Sequence, residues 1–218
     1  MSISTNLNIE ISSYKTIILD VDGVIFDSNN VKKENIFTAT ETFTDYKTAT
    51  SFTPYFMGLS GVPREQKINS YFRTQRKLAD KILKRYNNLN DKSIYNVKLT
   101  TGALEFIEFC YTNKKTIIAL SGGAENELQK LFSLNKIRKY FNSIFGGPKT
   151  KTQNIKGVHF DKPILYIGDS VVDYETATKM NAEFVFMSNY TSFQNWDSFF
   201  EEKPHIYIIN NLKELINK

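Results

Sequence analysis

Four runs in this chain are apolar on successive residues rather than on alternate ones: TIIL at 16–19, KTIIAL at 115–120 (after its first two residues), PILYI at 163–167 and EFVFM at 183–187. A strand with one face in water alternates polar and apolar side chains. Runs like these are strands buried on both faces, a condition met in parallel sheets covered by helices. Helical spacing fills the intervals, at 101–113, 124–134, 149–157, 171–181 and near 192–201, with a last helix expected at 211–217. Weaker strands are expected at 142–145 and 205–209. This alternation predicts an α/β fold, a Rossmann-like doubly wound parallel sheet.

The first strand is followed by about sixty residues with helical periodicity and little strand character, far more than a crossover needs. The simplest account is an all-α cap inserted at 30–90, with 1–29 and 91–218 forming the α/β core. Hinges are expected near 28–29 and 90–93. Phe52, Tyr55 and Phe56 fall in the cap, as its own small core or as a pocket lining.

In open parallel sheets, ligands bind at the carboxyl ends of the strands. Those ends carry Asp20 and Asp22, then Ser121-Gly122-Gly123, then GGPKTK at 146–151, then Gly168-Asp169-Ser170 with Asp173 close behind. Crowded carboxylates resist ionising together. A hard cation such as Mg²⁺, which prefers oxygen ligands, removes that difficulty. Asp20 and Asp169 suit direct ligation, and Asp173 a metal-bound water. Ser121 and the following N–H groups suit a phosphate, or act as an ordinary helix cap. Asp20 and Asp22 taken alone would also fit a simple Asp-Gly turn.

Composition narrows the class. Hydrophobic residues make up 41% of the chain, which excludes a disordered one. The lone Cys110 excludes an internal disulfide and reads as a small core residue in a reducing compartment. The first fifteen residues lack the basic and apolar regions of a signal peptide, and no run is long enough to span a bilayer. A cytoplasmic protein without membrane contact is expected. The net charge of +5 is local. Residues 63–90 hold eight basic and two acidic side chains, so the rest of the chain sums to −1. That segment reads as a helix with Tyr71, Leu78, Ile82 and Tyr86 on one face and Arg73, Lys77, Lys81 and Arg85 on another. The basic face is a solvated surface, or one that meets an anionic substrate or nucleic acid.

The stretches DVDGVIFDS, ALSGG, GGPKTK and IGDSVVDYETA resemble, in order and strand-end placement, the four motifs of the haloacid dehalogenase-like (HAD) superfamily of phosphohydrolases. The resemblance covers the core, and the insertion fits that family's helical cap in position and character. It implies a Mg²⁺-dependent phosphatase acting on a small phosphorylated metabolite. Asp20 would be the nucleophile that becomes an aspartyl-phosphate, and Asp22 the acid and base, its backbone carbonyl also touching the metal. Ser121 and the Gly122 N–H would bind phosphate, Asp169 the metal, with Asp173 behind it. The third motif offers Lys149 and Lys151, and the family's short G-x-P-x-x-K variant falls at Lys151. In GVPRE, Arg64 would grip substrate, or simply belong to a helix start.

Within that family, Asp22 argues against a dehalogenase, which needs no leaving-group proton. A sugar phosphomutase would be expected to carry a histidine shortly after the first motif, and only His159 and His205 exist. Hydrolysis is therefore favoured over mutase action. A non-catalytic binding module and a phosphatase for nucleic-acid ends remain as alternatives.

Overall fold

A computed structural model describes residues 9–201, 203 and 206–216. Residues 1–8, which bear on the signal-peptide reading, and His205 lie outside the described residues. Six strands form one sheet in the order β3-β2-β1-β4-β5-β6, every neighbouring pair parallel. They are β1 (Thr16–Leu19), β2 (Thr116–Ala124), β3 (Ser143–Gly147), β4 (Ile164–Gly168), β5 (Glu183–Met187) and β6 (Tyr207–Ile209). The doubly wound order reverses between β1 and β4, which are direct neighbours. That reversal opens a crevice at their carboxyl ends.

The unbroken apolar runs are explained by the two faces of the sheet. Ile17, Leu19, Ile117 and Leu165 pack on one side with Phe106, Cys110 and Phe132 of α5 (Ala103–Thr112) and α6 (Glu125–Leu134). Ile18, Ile118 and Tyr166 pack on the other with Ala177 and Phe200 of α8 (Val171–Met180) and α9 (Trp196–Glu201). Each such large side chain contributes roughly 1.5–3 kcal/mol by leaving water. Cys110 is fully buried, and burial pushes its thiol up to about 12, so it behaves as the core residue its pattern implies.

The ends of elements differ from expectation where side chains, not periodicity, set them. β2 and β3 run on into their glycines, with Ala124 opposite Gly147 after a register shift. The helix expected at 149–157 is the single turn α7 (Lys151–Ile155), because Thr150 and Gln153 form a reciprocal capping box at its start. The last helix is a 3₁₀ turn, Leu212–Leu215.

Between β1 and α5 lie α1 (Asn29–Glu41), α2 (Tyr46–Gly58), α3 (Arg64–Tyr71) and α4 (Arg76–Ser93). They share a separate hydrophobic cluster that includes Ile36, Phe52, Phe56, Ile68, Phe72, Ile82 and Tyr86. Two readings are corrected here. The basic segment is two helices rather than one, so Tyr71 belongs to a different helix from Leu78, Ile82 and Tyr86. α4 also continues through 90–93, where a hinge was expected, and the chain returns to the sheet through 94–99, Leu99 bridging to Phe26. Among the described residues, no helix is long and apolar enough to cross a membrane.

Candidate active site

The turn after β1 fixes the first two acids. The Asp20 N–H donates to the Ile167 carbonyl at 2.9 Å, so Asp20 still belongs to the β1/β4 ladder at the crevice. The chain then folds back, the Val21 carbonyl accepting from the N–H groups of Ile25 and Phe26 at 3.0 and 2.9 Å. Gly23 makes this possible. Its φ is +79°, and a Cβ there would lie 2.3 Å from Asp169 Oδ2. The Asp-Gly pair is thus a turn, as its sequence allows, and also a surface that β4's acid packs against.

Lys151 holds the cluster together. The capping box turns the first residue of α7 inward, and its side chain is fully buried. Its ammonium donates to Asp20 Oδ1 and to Asp173 Oδ1, each at 2.5 Å. Asp173 also accepts from the Tyr166 hydroxyl at 2.8 Å and the Ser170 hydroxyl at 2.5 Å. Asp169 Oδ2 accepts from Asn29 Nδ2 at 3.0 Å, while its Oδ1 is buried without a partner. Burial and Asp173 push the Asp20 carboxyl up to about 7, against the pull of Lys151. Burial, Asp20 and Asp173 push Asp169 well above the carboxylate range. Burial works against charge on Lys151, yet Asp173 and Asp20 outweigh it and raise its proton affinity.

Three carboxylates against one ammonium leave the site short of positive charge. Asp20, Asp169 and Asp173 each offer an oxygen within 4.8 Å of the others. An all-oxygen donor set, an orphaned Asp169 oxygen and raised proton affinities together fit a hard divalent cation.

Asp22 faces the other way, toward the helical insertion. It pairs with Lys32 of α1 and accepts from the Ser28 hydroxyl at 2.5 Å. Burial disfavours its charge, but Lys32 and the hydroxyl outweigh this and hold it below the usual carboxylate range. The Ser121 hydroxyl lies 3.4 Å from Asp22 Oδ2 and accepts from the Gly123 N–H at 2.9 Å. Above it the insertion touches the sheet backbone to backbone: a Cβ on Gly122 would lie 2.5 Å from the Gly61 carbonyl oxygen. This contact roofs a cavity of about 40 Å³, lined among others by Asp22, Lys32, Arg64, Lys67, Tyr86 and Gly122.

Asp20, Lys151, Asp169 and Asp173 therefore meet, with Asp22, Ser121 and Gly122 beside them. Lys149 does not join them. It is exposed on the loop before the Thr150 cap, apart from the cluster. Ser121 is not a helix cap, since it lies within β2 and Ala124 takes the cap position. Arg64 begins α3 and lines the cavity, but its guanidinium pairs with Glu127 of α6 and donates to Asn87 Oδ1 at 2.9 Å. Phe52 is buried in the insertion's core, Phe56 serves both core and cavity, and Tyr55 is exposed. Asn29, Lys32 and Lys67 were missed. The first two follow the DVDGVIFDS motif by one and four residues, Asn29 in what read as a hinge and Lys32 at the start of the cap. Lys67 was one of eight basic residues with nothing in its spacing to mark it.

A doubly wound sheet that buries an acid cluster and a lysine at its switch point, beneath inserted helices, is the architecture of haloacid dehalogenase-like enzymes. The family model described as haloacid dehalogenase-like hydrolase matches residues 17–187, and the chain belongs to that family. No curated protein matches the chain. Solved structures do. A hydrolase from Pseudomonas syringae is 17% identical with a TM-score of 0.72, covering 93% of this chain and 96% of its own. A haloacid dehalogenase-like family hydrolase from Streptococcus pneumoniae is 18% identical with a TM-score of 0.69, covering 94% and 98%. A protein from Clostridium acetobutylicum described as a predicted phosphatase is 16% identical with a TM-score of 0.73, covering 93% and 96%. At these identities the likeness shows the fold.

Proposed function

We propose that the chain is a Mg²⁺-dependent phosphatase that hydrolyses a small phosphomonoester through an aspartyl-phosphate on Asp20. The observation that carries this reading is the convergence of Asp20, Asp169 and Asp173 within 4.8 Å around the buried Lys151. Family membership and the description of the Clostridium acetobutylicum structure support it.

Asp20, Asp169 and the Asp22 backbone carbonyl would hold Mg²⁺, which would supply positive charge to offset the carboxylates and the phosphoryl group. Lys151 adds charge at the Asp20 oxygen, and Asp173 fixes Lys151 and would support the metal's hydration shell. Ser121 and the Gly122 N–H hold the phosphoryl group. An oxygen of Asp20 attacks phosphorus, the ester bond breaks, and the leaving oxygen takes a proton from Asp22. Asp22 then takes a proton from water, whose oxygen attacks phosphorus, releasing phosphate and restoring Asp20. In the substrate-free state Lys32 holds Asp22 ionised. A phosphate dianion entering beside Asp22 competes for Lys32 and raises Asp22's proton affinity, which readies it as the acid. Residues 30–90 act as a cap that closes over the substrate and excludes bulk water. The substrate is a small phosphorylated metabolite, and the lone reduced cysteine supports a cytoplasmic setting.

The test is a phosphomonoester panel with and without Mg²⁺, run beside Asp20→Asn. Phosphate release should require the metal and fall at least about 10³-fold in the variant. Activity that persists in Asp20→Asn would reject Asp20 as nucleophile. Transfer of phosphate between sugar positions without release would make the enzyme a mutase.

A further inference from the structure

Three cations reach the cavity between the sheet and the insertion, and two are already matched. Lys32 pairs with Asp22. Arg64 is held by both carboxylate oxygens of Glu127 and by Asn87. Lys67 follows Arg64 by about one turn of α3 and also lines the cavity. It is 7% exposed, so its ammonium does not escape to water as a surface lysine's does. Its Nζ donates to the Phe56 carbonyl at 3.0 Å and lies 4.4 Å from the Phe56 ring centroid. Among the described residues, no ion pair within 4.0 Å involves Lys67. An ammonium has three N–H donors, and this one uses one of them on the protein. Buried charge is ordinarily paired, and an unpaired one is costly to keep. The groups facing it include Lys32, Arg64 and Asp22, with Asp22 already engaged by Lys32.

We propose that Lys67 is a specificity-determining residue that reads a second negative charge, on the part of the substrate away from the phosphoryl group. The preferred substrate is then a short phosphomonoester bearing a carboxylate. Size favours a carboxylate over a second phosphate. The cavity of about 40 Å³ has room for roughly three water-sized groups, and Phe56, Met57 and Tyr86 wall it. This inference rests on the phosphatase reading, and Arg64, the cap residue singled out by sequence, is excluded from the role by its bond to Glu127.

The test compares two esters of equal carbon number, 3-phosphoglycerate and sn-glycerol 3-phosphate, which differ by a carboxylate against a hydroxymethyl group. Each is titrated calorimetrically into Asp20→Asn protein, with and without Lys67→Met, and each is assayed for phosphate release by the otherwise unaltered enzyme. The carboxylate should bind about tenfold more tightly or better, as expected for a desolvated ion pair, and Lys67→Met should bring the ratio near one. Lys67→Gln, which keeps a donor for Phe56 without the charge, should lose the preference as well, whereas Lys67→Arg should retain it. Both neutral variants should melt no lower than the parent, since each removes an unpaired buried charge. Equal binding of the two esters by the parent, or a preference that survives both neutral substitutions, overturns the proposal. A binding preference erased by Lys67→Met without any phosphate release upholds the role of Lys67 and instead rejects the phosphatase reading.

Discussion

The two sides of the cavity have opposite charge deficits. On the sheet side, Asp20, Asp169 and Asp173 surround a single ammonium, Lys151. On the helical side, Lys32 and Arg64 borrow their partners, Asp22 and Glu127, from the sheet domain, and Lys67 has no acidic partner among the described residues. The sheet side wants a cation and the helical side an anion. A metal and an anionic substrate entering together would satisfy both, which is why neither half is at electrostatic rest alone. The origins differ too. The acids are placed by backbone: strand ends, a left-handed glycine and a capping box. The cations are placed by side chains that turn inward from amphipathic helices.

The largest effect should come from breaking the sheet side. Lys151→Met leaves Asp20 and Asp173 facing each other with no ammonium between them. Phosphate release should fall about 10²–10³-fold, as when one preorganised charge is removed. Removing one member of a buried ion pair should also cost about 3–5 kcal/mol at neutral pH in metal-free protein, read by urea denaturation. Mg²⁺ should restore part of that stability, since it replaces the missing charge. Full activity in this variant would mean that the acid cluster does not act as one unit.

The helical side should respond with the opposite sign. Burial first, and Lys32 second, lower the Lys67 ammonium to about 7 from an ordinary lysine value near 10.5. Below pH 7 both folded and unfolded chains carry the proton, and the cost of burying the charge is complete. Between pH 7 and about 10.5 the folded protein releases the proton while the unfolded chain keeps it, so stability rises with pH. The melting temperature of Lys67→Met should therefore exceed that of the parent at pH 6, and the gap should close toward pH 10. The upper limit is roughly 5 kcal/mol. A gap that is flat across this range would mean that Lys67 is not charged where it lies.

The difference in origin also explains what the sequence disclosed. The sheet was legible because its strands are apolar on every residue and end in acids and glycines. Backbone geometry does the rest, so Asp20, Asp22, Ser121 and Asp169 could be placed from pattern alone. The helical side was legible only as helices. Amphipathic spacing says which face is buried, yet Lys67 lies on the buried side of α3 beside Ile68, where a count of basic residues treats it as surface. Lys32 was hidden in the same way, because nothing local distinguishes it from its exposed neighbour Lys33. Long-range pairing across more than sixty residues, as in Arg64 with Glu127, leaves no mark in spacing at all. Helix ends failed for a related reason: Thr150 and Gln153 begin α7 later than its periodicity suggested.

That late start supplies the finest comparison, between two lysines two residues apart on the same loop. Lys149 precedes the Thr150 cap, where the backbone is still extended, and its side chain is exposed. Lys151 is the first residue inside the helix, and the cap's bonds to Gln153 fix the turn that sends it toward Asp20 and Asp173. A solvated ammonium on an exposed loop contributes little to stability. Lys149→Ala should accordingly leave kcat/KM within about twofold and the melting temperature within about 1 °C of the parent. Thr150→Ala, which removes the cap but neither lysine, should reduce activity more than Lys149→Ala does, because the position of Lys151 depends on it. If Lys149→Ala proved the more damaging of the two, the loop would have to close on the substrate during turnover, and the exposed lysine would be a partner that the substrate-free protein keeps in solvent.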